Sequence, residues 1–315
     1  MAPLPFARAR RFGAGVAALA AVAAVTVSAC GSSGSSAAAG GQAPAAAADA
    51  QLAQLRLAEG FDSVNATFDG QAAVALVPVD GDEVWYFGSP ATDPTDPTAT
   101  PTPAGTADPD GETIDFLSWS TMKPPLAIAA LRDNGDAVSD LVDSAIRWSD
   151  NDATWQLWLS LGDRDTWVDK YDRVLRDAGD RRTKMRTDGF DDDDRSYGLS
   201  DWRLDDQALF AAGLPCLAED DEAAATVYEL MGEIDEDQSW GLGLIDGAHF
   251  KGGWGPGADQ YLVRQFGVIE TARGATAVAV AAAPTDNDHD TGTAMLDRIA
   301  GWLVTESDRL PAGRC

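Results

Sequence analysis

The chain has 315 residues, 45% of them hydrophobic and 8% aromatic, which is enough apolar material for one large domain or two small ones. It carries 23 Lys plus Arg against 51 Asp plus Glu, a formal net charge of −28. Such a surface repels phosphate backbones and anionic head groups, which argues against nucleic acid as a partner and says little about fold.

Arg8, Arg10 and Arg11 form a basic first segment, and residues 13–27 form an apolar stretch too short for an ordinary membrane span. The stretch ends "VSAC", with the small residues Ser28 and Ala29 ahead of Cys30, and resembles the lipobox of bacterial lipoproteins. That resemblance implies a signal peptide over 1–29, lipidation at Cys30, and an exported protein held by its lipid at the outer face of the cell membrane. A plain secretory signal that ends near a cysteine is the alternative. Without the three arginines, 20 basic residues face 51 acidic ones, a balance of −31. Residues 30–55, with "GSSGSSAAAGGQAPAAAADA" directly after Cys30, show no apolar period and read as a flexible tether, with the folded domain over 56–315.

Next, "AAVALVPVDGDEVWYFGS" (72–89) has the pattern of two strands around a tight turn at Asp80-Gly81-Asp82. Residues 90–112, "PATDPTDPTATPTPAGTADPDGE", can form no core and read as a disordered loop. "FLSWSTMKPPLAIAALRD" (116–133) opens a helical pattern. "AVSDLVDSAIRWSDNDATWQLWLSLGD" is helical on both sides of a polar break at Ser149-Asp150-Asn151. A further helix carries Trp167, Tyr171, Val174 and Leu175 on one stripe, and "DGFDDDDRSYG" is an acidic loop. Helices over "DDQALFAAGL" and "EAAATVYELMGEI" lead to three strands, "GAHFKGGWG", "QYLVRQFGVIE" and "TAVAVAAAP", and a last helix. Strands at both ends with helices between predict a layered α/β (α+β) fold whose antiparallel sheet joins the N- and C-terminal parts.

Ser120 and Lys123 stand three apart at the head of the first helix of this series. That spacing puts both on one helix face, where a desolvated lysine can deprotonate a hydroxyl. A helix start holds such a pair by chance as well, so the pair alone carries little. Ser149-Asp150-Asn151 and then Lys251-Gly252-Gly253 follow in order, and two of only four lysines fall within these motifs. Together they resemble the signature of the penicillin-recognising serine enzymes, class A β-lactamases and D-alanyl-D-alanine peptidases, over residues 71–315.

The resemblance implies a β-lactamase/transpeptidase-like fold and an acyl-enzyme at Ser120 on a peptide, ester or β-lactam carbonyl, with Lys123 as base. It implies that Ser149 relays a proton toward the leaving nitrogen, while the N–H groups of Ser120 and Trp254 form the oxyanion hole. Asn151 would bond the amide of the ligand, a peptidoglycan-type peptide or β-lactam, and Lys251 would attract its carboxylate.

Three departures qualify this. Gly252 stands where the family has Thr or Ser, whose hydroxyl grips the carboxylate. The Glu-x-x-Leu-Asn motif that positions the deacylating water is absent, since 181–204 holds Asp188, Asp191 to Asp194 and Asp201 but no Glu. Only 29 positions separate Ser120 from Ser149, which implies a reduced helical subdomain. A poor β-lactamase is therefore expected, and a catalytically degenerate binding or sensing module is the alternative. His249 and His289 lack metal-ligand spacing, so no metal or other cofactor is expected, and the protein reads as a monomer. After Cys30 only Cys216 and Cys315 remain, and in an exported chain one disulfide is the simplest reading. A buried free Cys216 with a frayed tail is the other.

Overall fold

The computed structural model describes residues 43–88, 117–186, 196–257 and 260–315. Cys30, the signal segment and the 90–112 loop lie outside them. In chain order come α1 (Ala43–Asn65), β1 (Gly70–Pro78), β2 (Trp85–Gly88), α2 (Lys123–Asn134), α3 (Ser139–Arg147), α4 (Asn151–Ser160) and α5 (Arg164–Asp177). Then follow α6 (Leu204–Asp220), α7 (Glu222–Met231), β3 (His249–Pro256), β4 (Tyr261–Thr271), β5 (Gly274–Pro284) and α8 (His289–Thr305), with short 3₁₀ turns between.

The five strands form one antiparallel sheet in the order β2-β1-β5-β4-β3. β1 and β5 pair from Gly70↔Pro284 to Pro78↔Thr276, so the sheet does join the two ends of the fold. Alternation along each strand feeds two cores. Ala73, Ala75, Val77, Phe266, Ala277 and Ala279 face α2 to α7, whereas Val74, Leu76, Val263, Val278 and Val280 face α1 and α8. Both faces are covered, which is why β5 reads "GATAVAVAAAP" and is buried along its whole length.

The helices start where the acidic sequence supplies caps. Asp150, Asp163, Asp221 and Asp288 each accept a backbone N–H from the first turn of α4, α5, α7 and α8. Trp167, Tyr171, Val174 and Leu175 are buried on one stripe of α5, as their spacing predicts. α1 differs from expectation, because it begins at Ala43, inside the 30–55 stretch read as tether. Alanine has the highest helix propensity, and Leu57 and Phe61 anchor this helix to the α8 side of the sheet. Cys216 on α6 and Cys315 form a disulfide across 99 positions, and Gly313 bridges Ala275 at the start of β5.

Candidate active site

Ser120 lies on a 3₁₀ turn, Trp119–Met122, that runs into α2. Pro124 and Pro125 follow Lys123 in the first helical turn, where a missing N–H is no loss. Trp119 holds a left-handed φ of 46° just before the serine. β3 is one of the two edge strands of the sheet and lies against this turn. At Gly253 an added Cβ would be 2.7 Å from Ser120 N and 2.9 Å from Thr121 N, so only glycine lets strand and turn approach this closely.

Lys123 and Lys251 are fully buried. Lys123 Nζ donates to Ser149 O (2.5 Å), Ser149 Oγ (3.1 Å) and Asn151 Oδ1 (2.8 Å), with Asp150 O at 3.5 Å. Lys251 Nζ donates to the same Ser149 Oγ (3.0 Å) and to Gly252 O (3.0 Å). The polar break between α3 and α4 is what delivers Ser149 to both amines. Ser149 takes a φ of 56°, and Asp150 caps α4 behind it. With both lone pairs of its oxygen engaged by amine N–H donors, the Ser149 hydroxyl has its own proton left to donate. Asn151 turns its carbonyl oxygen toward the Lys123 amine.

The half-buried Ser120 hydroxyl makes no hydrogen bond to Lys123 or Ser149. The i, i+3 spacing therefore places the pair together without closing the contact, since the Lys123 amine turns to 149–151. Burial pushes the Lys123 amine well below its ordinary 10.5, and the neighbouring Lys251 cation pushes it further, against the pull of Asp150. Burial lowers Lys251 to about 7. Two amines that share one hydroxyl away from water cannot both hold a proton cheaply. At neutral pH the arrangement thus contains an amine able to accept a proton.

The sheet side of the site is aromatic. A Cβ at Gly252 would sit 3.2 and 3.3 Å from two ring carbons of Trp240. Trp240 packs edge-on against Trp254 with 5.9 Å between centroids, and the half-buried His289 ring is 5.3 Å from Trp254.

One group of supporting residues escaped the motif reading. Arg264, fully buried in β4, donates to Leu117 O (2.9 Å), Trp202 O (2.7 Å) and Gln207 Oε1 (2.8 Å). Gln207 Nε2 in turn donates to Thr121 Oγ1 (2.9 Å), directly after the serine. The signal was present in "QYLVRQFGVIE", where Arg and Gln interrupt an apolar run that ought to be buried on both faces.

Of the aspartates in 181–204, Asp188 and Asp191 to Asp194 lie outside the described residues. Asp201 is exposed and bridges Leu117 through backbone. Just beyond it, Arg182 pairs with Asp205 (2.5 Å) and Asp206 (2.8 Å), tying this segment to α6. Burial, with Asp180 nearby, raises Asp206 to about 6. No three His, Cys, Asp or Glu side chains among the described residues converge as a metal site.

No protein-family model matches the chain, and no curated protein matches it in sequence. Solved structures do resemble it. A class A β-lactamase representative from Bacteroides cellulosilyticus superimposes with a TM-score of 0.59 at 12% identity, covering 82% of this chain and 98% of that one. The TLA-3 extended-spectrum β-lactamase gives 0.55 at 12% identity, covering 80% and 99%. An ancestral class A β-lactamase gives 0.52 at 17% identity, covering 79% and 99%. At such identities the likeness speaks for architecture alone, and by that measure this chain has the mixed α/β fold of the class A serine β-lactamases.

Proposed function

We propose that the domain is a serine acyl-transfer enzyme of the cell surface that forms an acyl-enzyme at Ser120. The carrying observation is the hydroxyl of Ser149 held between two buried lysines beside the Ser120 turn. In the first step Ser120 Oγ bonds to the carbonyl carbon of a peptide, ester or β-lactam. Its proton passes to neutral Lys123 Nζ, and the carbonyl π pair moves onto oxygen. The N–H groups of Ser120 and Trp254 stabilise that oxyanion, which is where preorganised donors act most strongly. Collapse re-forms the carbonyl and breaks the bond to the leaving nitrogen or oxygen, which takes the proton from Lys123 through Ser149. Asn151 orients the ligand's amide. Water then has to release the acyl group, and without the Glu-x-x-Leu-Asn motif that release is slow, so the adduct persists.

The N-terminal segment supports lipid anchoring at Cys30, which would hold the domain beside the membrane and within reach of cell-wall peptides. Incubating the mature domain with a fluorescent penicillin and reading intact mass tests the chemistry. The expected result is one adduct on the wild type and none on Ser120→Ala. A second reading, a binding module that does not acylate, is favoured by the open contact between Ser120 and Lys123. Absence of any adduct with β-lactams and acyl-peptide esters would leave it as the better reading.

A further inference from the structure

We infer that Trp240 and Trp254 make this a site for a ligand that is uncharged where it meets β3, an esterified or amidated group and not a free carboxylate. The inference takes its location from the Ser120 reading above and deepens it.

Side chains alternate along β3, so Lys251 and Gly253 point to one face and Gly252 and Trp254 to the other. A side chain at 252 would press on the Trp240 ring, which would have to give by a few tenths of an ångström. A Thr there would bring its Cβ to the ring carbons at 3.2 Å and then add two more heavy atoms. The absence of a hydroxyl at 252 is therefore matched by an indole against it. Trp240 is also fixed. Its carbonyl accepts from Gln265 Nε2 (2.7 Å), and its ring meets those of Trp254 and His289 edge-on. Tyr261 closes the same cluster, 6.4 Å from His289.

Among the described residues, the cations nearby do not offer an alternative anchor. Lys251 has no exposed surface, and its amine is directed to Ser149 Oγ and Gly252 O. Arg147, stacked on Trp148, faces the carboxylates of Asp143 and Glu233. Around the aromatic cluster, His289 lies beside Asp290, with Asp288 capping the same helix. A carboxylate placed on this wall would give up water for aromatic carbon in an acidic neighbourhood. An apolar group would gain by the same move. The corner between α3 and α4 agrees. Trp148, 48% exposed, directly precedes Ser149. Arg147 O accepts from Asp235 N (3.1 Å) and Gln238 Nε2 (3.3 Å), so the Trp148 corner is tied to the segment that carries Trp240.

The test uses one matched pair, benzylpenicillin and its methyl ester. Calorimetric binding to Ser120→Ala reads recognition, and adduct formation on the wild type by intact mass reads chemistry. The expected result is that the ester binds Ser120→Ala at least about tenfold more tightly than the free acid, the scale set by stripping water from an unpaired charge. The double variant Trp240→Ala/Gly252→Thr, in the Ser120→Ala background, is expected to cancel or reverse that preference. Equal or tighter binding of the acid overturns the inference, as does failure of the ester to bind. Selective binding of the ester with no wild-type adduct would refute the acyl-transfer reading and leave the inference standing. Adducts formed equally by acid and ester would do the opposite.

Discussion

The two faces of β3 have diverged in chemistry. On one, Lys251 and Gly253 meet Ser149 and the Ser120 turn through buried, directional contacts with little slack. On the other, Gly252 and Trp254 meet Trp240 and His289 through ring packing. A single strand thus separates a hydrogen-bonded surface from an aromatic one, because side-chain alternation lets each be altered without moving the other. Chemistry and specificity are consequently expected to respond independently to mutation.

The largest effect is expected at Gly253→Ala. The new Cβ would collide with Ser120 N at 2.7 Å, and that atom is main chain and cannot swing aside. Acylation is expected to fall about a hundredfold, as for a displaced nucleophile, with a stability loss of about 1–3 kcal/mol from overpacking. Label kinetics and urea unfolding measure the two. An unchanged rate would mean that strand and turn are not held as tightly as the geometry requires.

Lys251→Met sharpens the same face through pH. The amine titrates at about 7 when folded, against an ordinary 10.5 for the unfolded chain. Between those values the unfolded state binds more protons, so wild-type stability rises with pH across that window. The gain is of order 2 kcal/mol between about pH 7 and pH 9. Lys251→Met is expected to lose this contribution and keep the one from the buried Lys123, a shallower slope that urea midpoints over that range would reveal. Parallel slopes in both proteins would place the amine in contact with water.

A smaller change is expected from Gln207→Ala, which removes the link between Arg264 and Thr121. A loss of about 1–3 kcal/mol follows from leaving buried donors and acceptors unmatched. Acylation should slow while the preference between acid and ester stays unaltered. Altered preference would show that the two faces communicate. The least effect is expected for Trp254→Phe, which retains an edge-on aromatic contact and changes stability by less than about 1 kcal/mol. A thermal melt would detect it.

Most elements were legible because their periods are local. The α5 stripe, the break at Ser149-Asp150-Asn151 and the uniform apolar run of β5 each follow from residues within a few positions. The order of Ser120, Lys123, Ser149, Asn151 and Lys251 was legible too, as spacing along one chain. What stayed hidden depends on contacts between distant segments. Gly252 read as a missing hydroxyl, but that Trp240 lies against it is set by the 3₁₀ turn Gly241–Leu244 folding back onto β3. Ser120 and Lys123 read as touching because an α-helix brings i and i+3 together. Ser120 instead sits on the 3₁₀ turn before the helix, and the amine finds better acceptors in 149–151. α1 was missed for another reason, since alanine-rich sequence suits a helix and a loose linker equally until Leu57 and Phe61 find a surface.

The Cys216–Cys315 bond has a mechanical consequence. Its Cα atoms are 5.2 Å apart, yet they close off 99 positions of chain, roughly 330–360 Å if drawn straight. Tension applied between α1 and Cys315 passes from Cys216 to Cys315 directly and leaves α7, β3, β4, β5 and α8 outside the line of force. Lys251, Gly252 and Trp254 lie in that sheltered length, while Ser120, Lys123 and Ser149 lie on the strained path. A pulled molecule would lose the Ser120 turn first and keep the chain that carries β3 unextended until the sulfurs part.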